Sequence, residues 1–394
     1  MKPFACAAIA AMGLVAVSPA QEQKLGPGDK PCGICHSTGK IPFELPKPVV
    51  AQEQGAVWCS EVVADALLNH GIDWKVCADC QAPTIKATAQ KAYDVEVAKR
   101  MEWLKSRREI DKFLDDPKLK LMHVSTAHFE LAWSIPKVKI GRVVYEQHDA
   151  MHLYANRLEE AYQSWLDTFG FKHETDENGV RPVIMCFESA VHATQAQPKY
   201  TGMGGTGATE GTKLMGGKSV FVCWWNKVKN KDDAEFHEYL MHNVDHLFLT
   251  SYYNYFWLAR KNGWIDEGLS HYFTDKKFGS CRTHCYQEQD EAAQWILTPW
   301  RPELKKRVAA NKIPVFAEVI VKHGESLNAE EHLFVFSWVQ YLLDAFGKDK
   351  FVQLVRGLKE QVPLRNILQD VYGVSPFQFI ENWKKYVIST YPSR

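Results

Sequence analysis

Two histidines four residues apart give the strongest signal for chemistry in this sequence. His242 and His246 fall inside a helical pattern, in the run His242-Asn243-Val244-Asp245-His246. Because an α-helix completes a turn in about 3.6 residues, both side chains lie on one face and can reach the same ion. Imidazole nitrogen is a common zinc ligand. The pair by itself is a weak indication, since a chain with 15 histidines contains such a spacing by chance.

A carboxylate suited to the same ion follows about 20 residues later, in a second helical segment. Residues 264–273 read WIDEGLSHYF and place Glu267 at the centre of this segment. Together with the histidine pair, this segment resembles the gluzincin metallopeptidases of the peptidase MA-like superfamily, in which two histidines and a glutamate from the next helix bind zinc. The resemblance implies that His242, His246 and Glu267 are zinc ligands. Three protein ligands leave the fourth position to water, which is the arrangement of a catalytic zinc site.

The resemblance covers roughly residues 118–390 and implies a fold and a ligand. The fold is α+β, with a small mixed sheet and zinc-binding helices followed by an all-helical C-terminal part. In the family, the strand corresponding to residues 220–225 lines the cleft and pairs with extended substrate. A polypeptide or a peptide-like ligand is therefore the expected partner.

The sequence departs from the family motif at the residue that performs catalysis. The family has Glu after the first histidine as the general base, and this chain has Asn243, whose amide cannot take a proton. Losing a general base costs about 10²–10⁴-fold in rate. Asp245 flanks the metal face at the mirror position on the helix, and Glu238 lies one turn before His242. His271, one turn after Glu267, could orient that carboxylate, bind the ion or stabilise an oxyanion.

These residues predict an exported zinc-binding protein related to metallopeptidases, with its hydrolytic activity in question. A catalytically inert, peptidase-like binding protein is the first alternative. A third hypothesis, electron transfer through a c-type haem, comes from the cysteines near the start of the chain.

Cysteines in two C-x-x-C pairs indicate a further metal or haem site. Cys32 and Cys35 are followed directly by His36, and Cys77 and Cys80 form the second pair. The first pair resembles the zinc knuckle of DnaJ-type modules, and the second completes a four-cysteine structural zinc site. Disulfides are an alternative in an exported protein. The C-x-x-C-H motif also matches c-type haem attachment through the two thiols and the histidine.

Two later cysteines follow the metal helices in the sequence GSCRTHC. Cys281 and Cys285 are most simply interpreted as a local disulfide, or as crosslinked to Cys186 or Cys223. The pairing cannot be chosen from spacing alone.

Composition and the first residues indicate where the protein acts. The chain of 394 residues carries 47 Lys and Arg against 47 Asp and Glu, so general affinity for nucleic acid or anionic lipid is not expected. Residues 1–20 form a signal peptide pattern, with Lys2, an apolar run and small residues before a cleavage site near Ala20. We expect a secreted or periplasmic protein with no membrane contact after signal removal.

The remaining sequence divides into segments of different pattern. We expect a Cys-rich module at 21–83, a charged connecting helix at 84–117, a metal-binding domain at 118–288 and a C-terminal helical domain at 289–394. In the metal-binding domain, an extended stretch at 119–135 precedes a periodic helix ending at Phe169. Strands at 182–187 and 219–225 precede the two metal helices, 233–253 and 264–276.

Overall fold

The computed structural model describes most of the chain outside its first residues. The described residues are 25–26, 28–42, 60–63, 66–68, 74–111, 114, 116, 119–126, 128–169, 181–202, 211–214, 219–253, 262–279, 281–285 and 298–393. The predicted signal peptide therefore lies outside the described residues. The chain divides into two compact units, one drawn from residues 1–45 and 72–103 and the other from 46–71 and 104–394.

The secondary structure combines short strands with longer helices. The strands are β1 (Lys40–Pro42), β2 (Ser60–Val63), β3 (Ala66–Leu68), β4 (Trp74–Val76), β5 (Met122–Ser125), β6 (Glu130–Trp133), β7 (Lys137–Ile140), β8 (Val143–Glu146), β9 (Val183–Phe187), β10 (Gly211–Leu214) and β11 (Val220–Trp224). The helices are α1 (Pro83–Asp111), α2 (Gln147–Phe169), α3 (Ala190–Thr201), α4 (Asp233–Tyr253), α5 (Gly263–Phe278), α6 (Trp300–Ala309), α7 (Phe316–Val319), α8 (Ala329–Phe346), α9 (Lys348–Lys359), α10 (Leu364–Tyr372) and α11 (Pro376–Thr390).

The smaller unit is built around a two-stranded ribbon. β1 and β4 pair in antiparallel fashion, and the ribbon continues in a backbone hydrogen bond from Cys77 N to Gly39 O of 2.9 Å. Gly39 has a φ of +70°, and a Cβ there would lie 2.8 Å from the Cβ of Ala89 in α1. Glycine is therefore needed both for the left-handed backbone and for the close approach of the helix.

The larger unit contains a mixed sheet of seven strands in the order β10-β11-β9-β6-β5-β2-β3. The pairs β11–β9 and β9–β6 are parallel, and the other neighbours are antiparallel. The described residues beyond 298 are helical or irregular, so the predicted α+β fold with an all-helical C-terminal part is confirmed. No helix among the described residues is long and apolar enough to cross a membrane.

The strand expected to pair with extended substrate lies inside the sheet. β11 is hydrogen-bonded to β9 on one side and to β10 on the other, so the expectation that it receives a substrate strand is wrong. β10 lies in a Gly-rich stretch of the sequence, residues 201–219. It is the end strand of the described sheet on that side.

A buried ion pair fixes the start of the first metal helix. Asp233, the first residue of α4, accepts from both terminal nitrogens of Arg157 in α2, at 2.8 and 2.9 Å, and from the hydroxyl of Tyr154 at 2.9 Å. Both members of the ion pair are buried. A carboxylate at a helix N-terminus is also favoured by the helix dipole. This contact joins α4 to the core helix α2.

Two glycines let the second metal helix lie directly on its neighbours. A Cβ at Gly263, the first residue of α5, would meet the backbone nitrogen of Gly324 at 2.1 Å. A Cβ at Gly268 would lie 2.6 Å from the carbonyl oxygen of Val335 in α8. The close contact of α5 with α8 therefore depends on Gly268, and its close contact with residues 323–324 depends on Gly263.

Candidate metal centre

Four buried side chains converge between α4, α5 and the segment 281–285. The ligand atoms of His242, His246, Glu267 and Cys285 all lie within 4.8 Å of one another. The two histidines and the glutamate are fully buried, and Cys285 is 6% exposed. We refer to these four residues as the His–Glu–Cys cluster.

The distances among the two nitrogens and the sulfur of the cluster match the edges of a tetrahedron around a zinc-sized ion, and the Glu267 oxygen lies slightly farther out. The Nε2 atoms of His242 and His246 are 3.3 Å apart, and the Cys285 Sγ lies 3.4 Å from each of them. Glu267 Oε2 is 3.9 and 3.7 Å from the same two nitrogens. Tetrahedral zinc with nitrogen ligands at about 2.0 Å and sulfur at about 2.3 Å gives ligand separations of about 3.3–3.6 Å. The side chains therefore need little movement to hold one ion.

The outer nitrogens of both histidines face oxygen atoms, which favours one tautomer of each ring. Thr274 Oγ1 donates to the carbonyl of Ser270 at 2.7 Å, so at 3.4 Å from His242 Nδ1 it is placed to accept the ring proton. Asp266 Oδ2 lies 3.0 Å from His246 Nδ1. These contacts favour the tautomer with the proton on Nδ1, in which the Nε2 lone pair points into the cluster. Such outer contacts commonly orient histidine ligands of metals.

Burial keeps these imidazoles neutral, which is the form that binds metals. The pKa of His242 lies well below its usual value because the ring is desolvated and faces other imidazoles. Burial also lowers the pKa of His246, and the neighbouring Asp266 carboxylate opposes that shift. The charge balance of the cluster includes a cation, since Lys213 Nζ from β10 is 3.1 Å from the Cys285 sulfur.

Cys285 is the cluster member that sequence reasoning missed. The resemblance implied water at the fourth position, and the structure places a thiol there. The expected disulfides are also wrong, because Cys281, Cys285, Cys186 and Cys223 are all free thiols. The C-x-x-x-C spacing suggested a local bridge, but Cys281 Sγ instead contacts the carbonyl of His271 at 3.2 Å. The only feature of the sequence that could have indicated a ligand here is that residues 281–285 follow shortly after α5.

The candidate catalytic carboxylates are directed to other partners. Asp245 Oδ1 accepts from Trp165 Nε1 at 2.7 Å, and burial raises the pKa of this carboxyl well above its usual value. Glu238 accepts from the backbone nitrogen of Arg282. Both therefore lie outside the His–Glu–Cys cluster. Asn243 lies beside it, with Nδ2 donating to the Tyr239 carbonyl at 2.7 Å and Oδ1 3.9 Å from the Cys285 sulfur.

A second group of possible ligands shares Glu267 with the first. Its ligand atoms, from Glu267, His271 and His332, lie within 4.8 Å of one another, and all three residues are fully buried. His271 was predicted to be near the ion. His332, at the start of α8, was not predicted, since only the packing of α8 on α5 brings it here.

The smaller unit brings together three of its four predicted cysteine ligands. The sulfurs of Cys32, Cys35 and Cys80 lie within 4.8 Å of one another, and the Cys35–Cys80 separation is 3.7 Å. We call these three residues the cysteine cluster. Cys77 is buried beside them, and its pKa is raised to about 11 by burial and by the neighbouring Cys35 thiol. Backbone hydrogen bonds lower the pKa of Cys32 to about 6.

This arrangement is suited to a metal ion better than to haem or disulfides. Thioether attachment needs both thiols of the first pair to face a porphyrin, whereas Cys32 and Cys35 are buried and directed at Cys80. His36, the proposed iron ligand, is exposed. The described cysteines of this unit are free thiols.

The chain matches no family model, no curated protein and no solved structure. It contains buried groups of His, Glu and Cys side chains that could bind metal ions.

Proposed function

We propose that this chain is an exported zinc-binding protein related to the gluzincin metallopeptidases, in which a cysteine closes the metal centre and peptide hydrolysis is lost. The proposal rests on the position of Cys285. Its sulfur lies 3.4 Å from the Nε2 atoms of both His242 and His246, which would bind the ion. A zinc site with four protein ligands is of the closed, structural type, whereas a catalytic site keeps one position for water.

The charges of the four ligands support a divalent cation. Neutral imidazoles supply two ligands, and the Glu267 carboxylate and a Cys285 thiolate supply two negative charges. Burying a carboxylate beside a thiolate without a compensating cation would be costly, because both lose their hydration. Zinc is the divalent ion that this mixture of nitrogen, oxygen and sulfur ligands favours in a tetrahedral geometry.

The residues around the centre support loss of hydrolysis. Asn243 cannot act as a base, and the two carboxylates that could replace the missing glutamate, Asp245 and Glu238, are held by Trp165 and Arg282. A zinc-bound water would need both a free position and a proton acceptor. The remaining role implied by the resemblance is binding of a polypeptide or peptide-like ligand. In the smaller unit, we propose a separate structural zinc held by Cys32, Cys35, Cys77 and Cys80.

Cobalt substitution tests the closed centre directly, because a thiolate bound to cobalt gives an intense charge-transfer absorption. We expect Cys285→Ser to remove part of this absorption, leaving the part from the cysteine cluster. Cys281→Ser is the matched control, since this thiol is buried nearby but contacts a backbone carbonyl at 3.2 Å. It should leave the spectrum unchanged.

Four results would contradict the proposal or a part of it. Identical spectra for the two serine variants would show that Cys285 is not a ligand. Metal analysis of the full chain showing no ion beyond that of the cysteine cluster would remove the centre itself. Chelator-sensitive cleavage of an unfolded protein substrate by the parent chain would show that hydrolysis is retained. A Soret band in the purified protein would favour haem over zinc at the cysteine cluster.

A further inference from the structure

Two pairs of imidazole rings surround the Glu267 carboxylate: His242 with His246, and His271 with His332. Its Oε2 atom is 3.9 and 3.7 Å from the Nε2 atoms of His242 and His246. The same oxygen is 3.9 Å from His271 Nε2 and 3.6 Å from His332 Nδ1. One carboxylate oxygen at similar distances from four ring nitrogens has the position of a ligand that bridges two ions.

The second imidazole pair is not explained by the first centre. His271 and His332 come from α5 and α8 and are fully buried. Neither belongs to the His–Glu–Cys cluster. A third ring, His284, is 2% exposed and its centroid lies 5.6 Å from that of His271 and 5.1 Å from that of His332. Burying polar rings has a free-energy cost, and the nitrogens of His271 and His332 face the buried Glu267 carboxylate, as the ligands of a shared ion would.

We propose that a second divalent cation binds between His271 Nε2, His332 Nδ1 and Glu267 Oε2, sharing the carboxylate of Glu267 with the first ion. This inference rests on the proposed metal centre and extends it to a two-ion site. The set of two imidazoles and one carboxylate contains no thiolate, so it suits borderline divalent cations such as zinc, cobalt or nickel. It also leaves coordination positions for water or for an anionic group of a ligand, unlike the centre that Cys285 closes.

Binding of the second ion requires one proton to move. His271 Nε2 and His332 Nδ1 are 2.8 Å apart, close enough to share a ring proton. Both lone pairs must face the ion, so that proton has to transfer to an outer ring nitrogen. His271 Nδ1 can receive it, since this atom makes no hydrogen bond within the described part of the chain.

The second ion is expected to bind more weakly than the first. The nearby negative groups are Glu267, Asp266 and Cys285, while Lys213 already contributes one positive charge at the sulfur. The first divalent ion balances this set, and a second one adds uncompensated positive charge. We therefore expect two separate steps when ions are added.

Titration of the stripped full-length chain with Co²⁺ tests this inference. The thiolate absorption should saturate first, and a further equivalent of Co²⁺ should then add ligand-field absorption with no new thiolate band. Two cobalt ions bridged by one carboxylate should also couple magnetically, which reduces the Co²⁺ electron paramagnetic resonance signal at the second step. These readouts need no enzymatic activity and no variant.

Two matched variants locate the second ion. His332→Gln should remove the second step and lower the metal content by one equivalent, while the thiolate band stays. His237→Gln replaces another buried histidine, 8% exposed and outside both ligand groups, and should keep both steps. Two ions in the parent chain, one at the cysteine cluster and one at the His–Glu–Cys cluster, with His332→Gln identical to it, would overturn the second site and leave the first standing. Absence of the thiolate band assigned to Cys285 would instead contradict the proposed function itself.

Discussion

At the scale of single residues, the proposed loss of hydrolysis rests on Cys285 and Asn243 in two different ways. In the proposed metal centre, the thiol would take the coordination position that water needs, and the amide would provide no base to deprotonate that water. The Cys285 sulfur and the Asn243 Oδ1 are 3.9 Å apart, so both lie beside the same proposed ion position. Restoring one of the two should therefore not restore activity, because a bound water and a base are needed together.

We predict that Asn243→Glu alone remains inactive and that Asn243→Glu combined with Cys285→Ala hydrolyses peptides. The double variant should exceed Asn243→Gln combined with Cys285→Ala by about 10²-fold or more, the usual contribution of a general base acting on a bound water. Hydrolysis of an unfolded protein substrate, with the zinc content of each variant measured in parallel, checks this. Asn243→Gln with Cys285→Ala is the control without a base. Equal activity of the single and double variants would show that Cys285 does not block the ion.

At the scale of elements, the site depends on how closely α5 lies on α8. Gly268 follows the ligand Glu267, and its Cα approaches the backbone of Val335 in α8. His332 lies in the same helix, three residues before Val335. A wider spacing between these helices would thus move Glu267 and His271 away from His332, so that packing and metal binding change together.

Gly268→Ala should therefore destabilise the protein and weaken metal binding. The added Cβ would lie 2.6 Å from the Val335 carbonyl oxygen, and backbone cannot move aside as a flexible side chain can. We expect a loss of about 1–3 kcal/mol, typical of overpacking, measured by denaturant unfolding, and a higher Co²⁺ dissociation constant. Gly357→Ala is the control, since its Cβ meets only the Ile367 side chain, at 2.9 Å. Equal losses in both variants would contradict this role for Gly268.

A second element-scale contact joins the turn before β6 to α2. Glu159 accepts from the His128 backbone nitrogen at 2.9 Å and contacts His128 Nδ1 at 2.5 Å. Burial raises the pKa of Glu159, but the hydrogen bonds from His128 outweigh this, and the pKa is lowered overall. The ionised carboxylate is therefore favoured by folding. Its contribution is complete above the unfolded pKa of about 4.3 and is lost as pH falls through the lower folded pKa.

Glu159→Gln should accordingly destabilise the protein at neutral pH by about 1 kcal/mol, the usual size of one hydrogen bond. The difference from the parent should shrink as pH falls below about 4, where the parent carboxylate also becomes protonated. Thermal melting of both proteins across this range checks the sign. Glu160→Gln removes a more exposed carboxylate that pairs with Lys277 at 2.8 Å and should have little effect. A difference that grows on acidification would contradict this assignment.

At the scale of the whole molecule, sequence periodicity predicted the elements better than it predicted their contacts. The helix ending at Phe169 and the metal helix at Asp233–Tyr253 were predicted because their apolar residues recur with helical spacing. β10 was missed because Gly-rich sequence carries no strand pattern. Cys285 and His332 were missed for a different reason. They reach the site only through tertiary packing, and no local pattern marks a residue that will meet a distant helix.

The division into two units predicts that each metal centre stabilises its own part of the chain. Cys35→Ser should lower the metal content by one equivalent, because it removes a ligand of the cysteine cluster. The fully buried tryptophans lie in the larger unit: Trp133, Trp165, Trp264, Trp338 and Trp383. Tryptophan fluorescence therefore reports mainly the unfolding of that unit, although Trp74 and Trp103 belong to the smaller one, and its midpoint should shift by less than about 2 °C in Cys35→Ser.

The reciprocal variant makes this comparison decisive. His242→Gln removes a ligand from the larger unit, leaves the cysteine cluster intact and also lowers the metal content by one equivalent. It should lower the tryptophan melting midpoint clearly, since the binding free energy of a structural metal adds to the stability of the unit that holds it. Equal shifts in the two variants would show that the units unfold as one cooperative body. The cysteine cluster would then stabilise the larger unit as well as its own.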